Sequence, residues 1–409
     1  MISARSTSPF AAFGVRGFAP VWLSGLIWHL CRWGVSFLGT YLIADLTESP
    51  RMVQLAGTVL YIPLLVGGII GGVVSDRLDR LRTVRVQLSL LFPLTILIGV
   101  LVRAGQIRVW MIYVYLFLVG IGWVTDMTSR RALIFDLVGQ ARTDNAMAME
   151  ALSASTGMVI GALVGGSALQ AVGIGASYFV IAGFIAVAFV CLLGVEQPSA
   201  PAARPTSSTT RVSPIRDLSE GVRQLRRNPA IISILGVTAI ANFFLFAYFP
   251  IIPVIARALD ASPRQTGLLA AGTGIGMMVG SLVIAQLRPH RRGLVYVGGV
   301  FVAMLIVIPF ARATAYPIAL LAIIASGVGS GCFGAMQSAL VAGAAPPELR
   351  GRALGLLSMA IGALPLGMAV LGEVAERVGV ATALTGSMTL GITALAAWLW
   401  RQPYVLTAT

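Results

Sequence analysis

The sequence predicts an all-α membrane protein of twelve transmembrane helices arranged as two pseudo-symmetric six-helix bundles. Three observations carry this. Twelve apolar stretches of about twenty residues fill the chain. The composition is 57% hydrophobic and 11% charged, unlike that of a soluble globular domain. The stretches fall into two similar sets of six on either side of one polar segment.

In the first half the spans run over 20–43, 52–75, 84–102, 109–129, 144–170 and 174–195. In the second they run over 230–257, 265–287, 293–311, 315–341, 352–376 and 380–400. Each matches a hydrocarbon core of ~30 Å at ~1.5 Å per helical residue. The joints between spans hold most of the charge. The net charge of +14 is therefore read through the positive-inside rule, and no nucleic-acid partner is expected. With the N-terminus inside, cytoplasmic joints carry roughly three times as many Arg as external ones. Arg77, Arg80, Arg82, Arg85, Arg130, Arg131, Arg223, Arg226, Arg227, Arg291, Arg292, Arg350 and Arg352 fall inside. Outside are scattered cases such as Arg51, Arg264 and Arg312. An even number of spans brings the C-terminus back to the cytoplasm. The expectation is a multi-pass inner-membrane protein with both termini cytoplasmic.

All 29 basic residues are Arg, which excludes lysine Schiff-base chemistry and a Gly-x-x-x-x-Gly-Lys-Ser/Thr nucleotide loop. Cys31, Cys191 and Cys332 lie far apart inside spans and read as small packing residues. His29 and His290 are the only histidines, so neither a metal site nor a cofactor is expected. Residues 1–19 contain no short apolar run with a small-residue cleavage site, so no cleaved signal peptide is expected.

The polar segment divides the chain into a bundle at 1–195, a linker at 196–229 and a second bundle with a short tail at 230–409. The linker begins Pro/Ser/Thr-rich. It then places Ile215, Leu218, Val222 and Leu225 at helical spacing among arginines, which predicts an amphipathic helix on the cytoplasmic membrane surface. Asn228-Pro229 marks the next helix start. The halves repeat each other. Leu46-Thr-Glu-Ser-Pro50-Arg51 after span 1 returns as Leu259-Asp-Ala-Ser-Pro263-Arg264 after span 7. Gly161, Gly166 and Gly173 in and after span 5 match Gly367, Gly372 and Gly379 in and after span 11. Repeated six-span halves predict a transporter with its substrate path at the repeat interface near the midplane.

Span 2 ends Gly71-Gly72-Val-Val-Ser-Asp76-Arg77-Leu-Asp79-Arg80-Leu-Arg82. This resembles the major facilitator superfamily signature between helices 2 and 3: glycine, three residues, aspartate, then a basic cluster. The family usually has glycine where this chain has Asp79. That departure is common in the drug:proton antiporter branch containing macrolide and enterobactin exporters. Arg32-Trp33-Gly34, Asn145-Ala-Met-Ala-Met, Glu220-Gly221 through Asn228-Pro229, Pro346-Pro347-Glu348-Leu-Arg350-Gly351-Arg352 and Pro365-Leu-Gly367 are similar to that branch too. The resemblance covers nearly the whole chain. It implies a conformational gate on the cytoplasmic side containing Gly72, Asp76, Arg77, Arg80, Arg350 and Arg352. It also implies a relay of Asp76, Arg80 and Asp126 that steadies one conformation, although Arg130, one turn beyond Asp126, offers that aspartate a local role.

Span 5 carries Gly157, Gly161 and Gly165 at four-residue intervals, a smooth stripe for close helix contact. Ordinary packing is one reading. Hinge packing that controls proton leak is what the resemblance implies, with Ala162 standing where the family has proline.

Arg32 lies about twelve residues into span 1, roughly 18 Å deep. A charge there costs a few kcal/mol unless it faces water or a partner. His29, Arg32, Ser36 and Thr40 share one helical face. Arg32 is read as a substrate or coupling residue, or as a structural charge fixed by a carboxylate. By the repeat, Asn242 is the counterpart of His29. Glu150, two turns into span 5, is the candidate proton carrier or the partner of Arg32. Glu373 and Glu376 read as a solvated outer rim. Phe243, Phe244, Phe246, Tyr248 and Phe249 suit a ring-bearing substrate, or core and lipid packing. Gln337, after the glycines of span 10, is a candidate cavity hydrogen-bonder. The expected partners are a small-molecule substrate, protons and the bilayer, with the protein a monomer. The expected function is export of an amphiphilic molecule by proton antiport. The alternative is uptake by symport or facilitation on the same fold. A membrane-embedded enzyme is disfavoured because no nucleophiles, acids or ligands converge.

Overall fold

The computed structural model describes residues 10–75, 79–196, 228–287, 289–346 and 349–407. Asp76, Arg77 and the predicted linker helix at 215–225 lie outside them. Among the described residues the chain forms α1 (Phe18–Thr47), α2 (Pro50–Ser75), α3 (Arg80–Arg103) and α4 (Val109–Val138). The helical run Thr143–Leu193 breaks at Gly173 into α5 (143–172) and α6 (174–193). The second half forms α7 (Pro229–Ala258), α8 (Pro263–Leu287), α9 (Arg292–Ala311), α10 (Tyr316–Ala344), α11 (350–378) and α12 (Val380–Arg401). Several helices overrun their apolar cores. α4 continues nine residues past the predicted 129, because polar side chains there find partners inside the protein.

Local chemistry sets the ends. Asp79 caps α3, its Oδ1 accepting the Arg82 N–H at 2.8 Å. Asn228 caps α7, accepting from Ala230 N at 3.1 Å, and Pro229 occupies the first turn, where its missing N–H costs nothing. Gly173 (φ 77°) and Gly379 (φ 82°) adopt a conformation that L side chains rarely enter. Each turns the chain between two antiparallel helices, at matching places in the two halves.

α7 departs from the uninterrupted helix predicted. It is α-helical over Pro229–Ile240, widens to a π-turn over Ala241–Leu245, tightens to 3-10 over Phe246–Ile251 and resumes at Ile252–Ala258. Pro250 and Pro253 remove N–H donors from the stretch, and the altered turns absorb the loss.

α1–α6 and α7–α12 are the two bundles, and glycine contacts hold them in the same pattern. In hydrocarbon, helices gain nothing by hiding apolar surface, so close backbone approach supplies the cohesion. A Cβ on Gly161 would lie 2.4 Å from the Leu30 carbonyl oxygen of α1. A Cβ on Gly367 would lie 2.0 Å from the Phe243 carbonyl oxygen of α7. Between bundles, Gly166 of α5 meets Gly267 of α8, and Gly372 of α11 meets Gln54 of α2. Leu30 and Phe243, like Gln54 and Gly267, occupy equivalent repeat positions.

The helices alternate in direction. One end carries both described chain ends, tied down where Ser233 Oγ donates to the Gln402 carbonyl at 2.5 Å and Ala12 N donates to Asn145 Oδ1 at 2.9 Å. The opposite, distal end holds the turns at 48–49, 173, 259–262 and 379. There the bundles are bonded to each other. Arg257 donates to Asp45 Oδ1 (3.0 Å) and the Ala44 carbonyl (2.8 Å). Arg51 lies 3.6 Å from Glu373, Ser49 Oγ donates to Glu376 (2.8 Å), and Arg264 N donates to Gln170 (3.2 Å). Deeper in, Gln54 Nε2 donates to the Ala247 carbonyl (3.1 Å). Of the predicted solvated rim, Glu376 is exposed and Glu373 half-buried, and both also bridge the bundles, because the repeat brings α2 against α11.

Candidate functional site

Arg32 is only 5% exposed. Its guanidinium carbon lies 4.4 Å from the Trp33 ring centroid and 4.3 Å from that of Trp123. Trp123 is itself braced edge-on by Tyr61, with centroids 5.3 Å apart. Nε and Nη1 are buried with no hydrogen-bond partner, and no carboxylate pairs with Arg32 among the described residues. Aromatic faces return ~2 kcal/mol for a desolvated cation. The cost of a guanidinium at mid-bilayer is at least ~2.5–3.5 kcal/mol. The cage therefore holds the charge while Nε and Nη1 stay unsatisfied.

Both nearby carboxylates are engaged elsewhere. Glu150 Oε1 lies 3.1 Å from His29 Nε2, and Ser153 Oγ donates to Oε2 at 3.3 Å. With Glu150 ionised, Nε2 carries the proton and donates it. Glu150 thus pairs with His29, and the alternative pairing with Arg32 is absent. Gly157 explains the reach: a Cβ there would lie 2.4 Å from His29 Cβ, so α5 presses against α1 just beyond Glu150. Gly161 and Gly165 extend that contact to Leu30, Trp33 and Phe37. The stripe packs inside the first bundle, while Gly166 makes the contact across to the second.

Asp126 and Arg130 form a buried bidentate pair, with Arg130 Nε 3.0 Å from both carboxylate oxygens. Arg130 Nη1 also donates to the Val21 carbonyl at 2.9 Å. Arg130 links the two acid groups in space: a Cβ on Gly25 would touch both its Cδ (3.1 Å) and Glu150 Oε2 (3.4 Å). Arg80 donates to Asp136 and to the Ala132 carbonyl rather than to Asp126. The relay drawn from the resemblance thus finds each of its described members with another partner, because Asp136 and Arg130 lie on α4 within direct reach. Gly72 lies near the end of α2. Arg350 Nε donates to the Ala342 carbonyl at 3.1 Å, and Arg352 is exposed at the start of α11.

In the second bundle Asn242 is buried in the π-turn, its Nδ2 donating to the Thr238 carbonyl at 2.9 Å. Thr238 Oγ1 lies 2.7 Å from Tyr296 OH and 3.4 Å from Gln337 Nε2. Phe246 packs on Phe333, with ring centroids 5.8 Å apart, and Phe333 stacks on Tyr296 at 4.8 Å. Asn242, Phe246 and Gln337 therefore belong to one neighbourhood. Ser36 lines a small cavity of about 40 Å³ between the bundles, with Trp33, Tyr61 and Phe249. Thr40 Oγ1 is turned back to the Ser36 carbonyl at 2.9 Å. Trp123, Tyr61, Thr238, Tyr296, Phe333 and Asp136 were not singled out from the sequence. Aromatic and hydroxyl residues are common in apolar spans, and no spacing signal distinguishes these.

The fold and this cluster of buried charge at the centre of a helical bundle define a multi-pass membrane transporter. Residues 7–406 match the family model described as transmembrane secretion effector, and the chain belongs to that family of the major facilitator superfamily. It is 24% identical over 377 residues to the MFS-type transporter YfiS of Bacillus subtilis, covering 88% of each chain. It is 28% identical over 274 residues to the enterobactin exporter EntS of Citrobacter koseri, covering 64% of this chain and 62% of that one. Among solved structures, a D-xylose–proton symporter superposes with TM-score 0.73 at 15% identity, covering 96% of this chain and 98% of that one. That likeness concerns the fold.

Proposed function

We propose that this chain is a secondary exporter of an amphiphilic small molecule of drug, antibiotic or siderophore-like character, driven by proton antiport. It works as a monomer in the inner membrane with both termini cytoplasmic. The observation that carries the reading is Arg32, buried in an aromatic cage with Nε and Nη1 unpaired, three residues from the His29–Glu150 pair. An acceptor group on a substrate would satisfy the guanidinium, and ring systems would lie along Trp33, Phe246 and Phe333. Glu150, held by His29 and close to Arg130, changes its charge on protonation and so weakens its tie to α1.

Rocking of residues 1–195 against 230–409 would then exchange access. With the termini read as cytoplasmic, the distal bonds support reading this form as inward-facing, ready to load from the cytoplasm. Export is favoured over uptake by the relatives named as enterobactin exporters. In everted vesicles with an imposed proton gradient, adding substrate should release protons. Glu150→Gln should abolish that release while substrate binding persists. Normal coupling in Glu150→Gln removes Glu150 from the mechanism. Accumulation of a labelled nutrient by intact cells favours symport instead.

A further inference from the structure

On the flank of the first bundle, α3 and α4 leave a groove of about 630 Å³ that begins at the end carrying the termini. Its size is that of a small-molecule site. Val86, Leu90 and Leu94 of α3 face Leu118 and Ile121 of α4 across it. Val86, Leu90 and Ile121 are exposed, so the groove opens toward lipid.

Of the uncharged polar side chains that line it, Thr83 Oγ1 donates to the Asp79 carbonyl (2.7 Å) and Thr125 Oγ1 to the Ile121 carbonyl (2.8 Å), which leaves Gln87. Gln87 is 7% exposed, and neither its amide oxygen nor its amide nitrogen has a hydrogen-bond partner. Gly122 opposite lets α4 pack close beside it, since a Cβ there would lie 3.0 Å from Leu91 Cδ1 and 3.4 Å from Gln87 Nε2. A bare buried amide is costly, and hydrocarbon supplies no water to relieve it. At the rim stand Asp79 and Arg82. Asp79 Oδ1 is committed to the Arg82 N–H as a helix cap. The Arg82 guanidinium is exposed and has no partner among the described residues. Arg85, nearly one turn on, points elsewhere, its Nη2 donating to the Leu192 and Val195 carbonyls.

We infer that this groove binds an anionic glycerophospholipid. The phosphate meets Arg82, and an acyl ester carbonyl accepts from Gln87 Nε2. One acyl chain lies along Leu90, Leu94, Leu118 and Ile121. Five residues separate Arg82 from Gln87, about 7.5 Å along the helix axis. The order is that of a lipid entering from the interface: charge, then ester, then hydrocarbon. The inference is independent of transport direction.

The test uses the full chain in nanodiscs of phosphatidylglycerol and phosphatidylcholine in equal amounts, followed by gentle release and native mass spectrometry. One phosphatidylglycerol should be retained about tenfold over phosphatidylcholine. Arg82→Ala and Gln87→Leu should each lower that retention about tenfold. A phosphatidylglycerol with a photoreactive acyl chain should cross-link the unmodified protein at peptides containing Leu90 or Leu118, a readout that needs no variant to fold. Equal retention of both lipids, undiminished retention by folded variants, or cross-links confined to other helices would overturn the inference. Competitive loss of the cross-link to the amphiphilic cation ethidium would make the groove a substrate entry and overturn it equally.

Discussion

The Arg32 guanidinium lies 4.3 Å from the Trp123 ring centroid and is held there by aromatic faces, without a carboxylate. This arrangement separates stability from function at one residue. Removing a buried charge whose Nε and Nη1 have no partner relieves the fold, whereas a substrate loses its anchor. Arg32→Leu should therefore raise the unfolding temperature in detergent and weaken substrate binding by about tenfold or more. Unchanged binding, measured by ligand-induced thermal shift, would show that Arg32 is purely structural.

His29 and Glu150 join α1 to α5 through one 3.1 Å contact. His29→Ala leaves Glu150 buried with Ser153 and the field of Arg130. Such a loss should cost about 1–3 kcal/mol of stability. It should also lower proton release per substrate in everted vesicles. A variant that is destabilised yet fully coupled would confine His29 to a packing role.

The glycine crossings predict an ordered stability series. Gly367→Val drives a side chain toward the Phe243 carbonyl, and Gly161→Val toward that of Leu30. Each should cost about 1–3 kcal/mol or prevent folding. Gly183→Ala, with nothing within 4 Å of its Cβ, should be near neutral. Melting curves of the three proteins in one detergent give the comparison.

The distal bonds predict a shift in access. Arg51→Gln with Arg257→Gln removes two exposed ion pairs between the bundles, each worth about 0.2–1 kcal/mol. The distal-open population should rise several-fold. A cysteine at Ser36 should then react faster with an impermeant thiol reagent added from the distal side. An unaltered rate would mean that helix packing, as at Gly166 and Gly267, holds the seal without the ion pairs.

Much of the fold was legible because its signals are local. Apolar run length marks a span wherever it occurs, and Gly173 and Gly379 turn the chain by their own backbone freedom. The repeat of Pro50-Arg51 as Pro263-Arg264 was visible as text. The site was legible only in kind. Arg32, His29 and Glu150 stand out because charge inside an apolar run is costly, but choosing among them requires the rotation of each helix about its axis.

By itself, then, the sequence determined an all-helical membrane chain with twelve spans, a duplicated architecture and a short roll of intramembrane polar residues. These follow from composition and periodicity along one strand of chain. The tertiary structure alone decided that Glu150 meets His29, that Arg80 meets Asp136, that Trp123 and Tyr61 enclose Arg32, and that α7 loosens at Asn242. Partner choice across helices depends on which faces the glycine contacts press together, and that geometry is set by residues far apart in sequence.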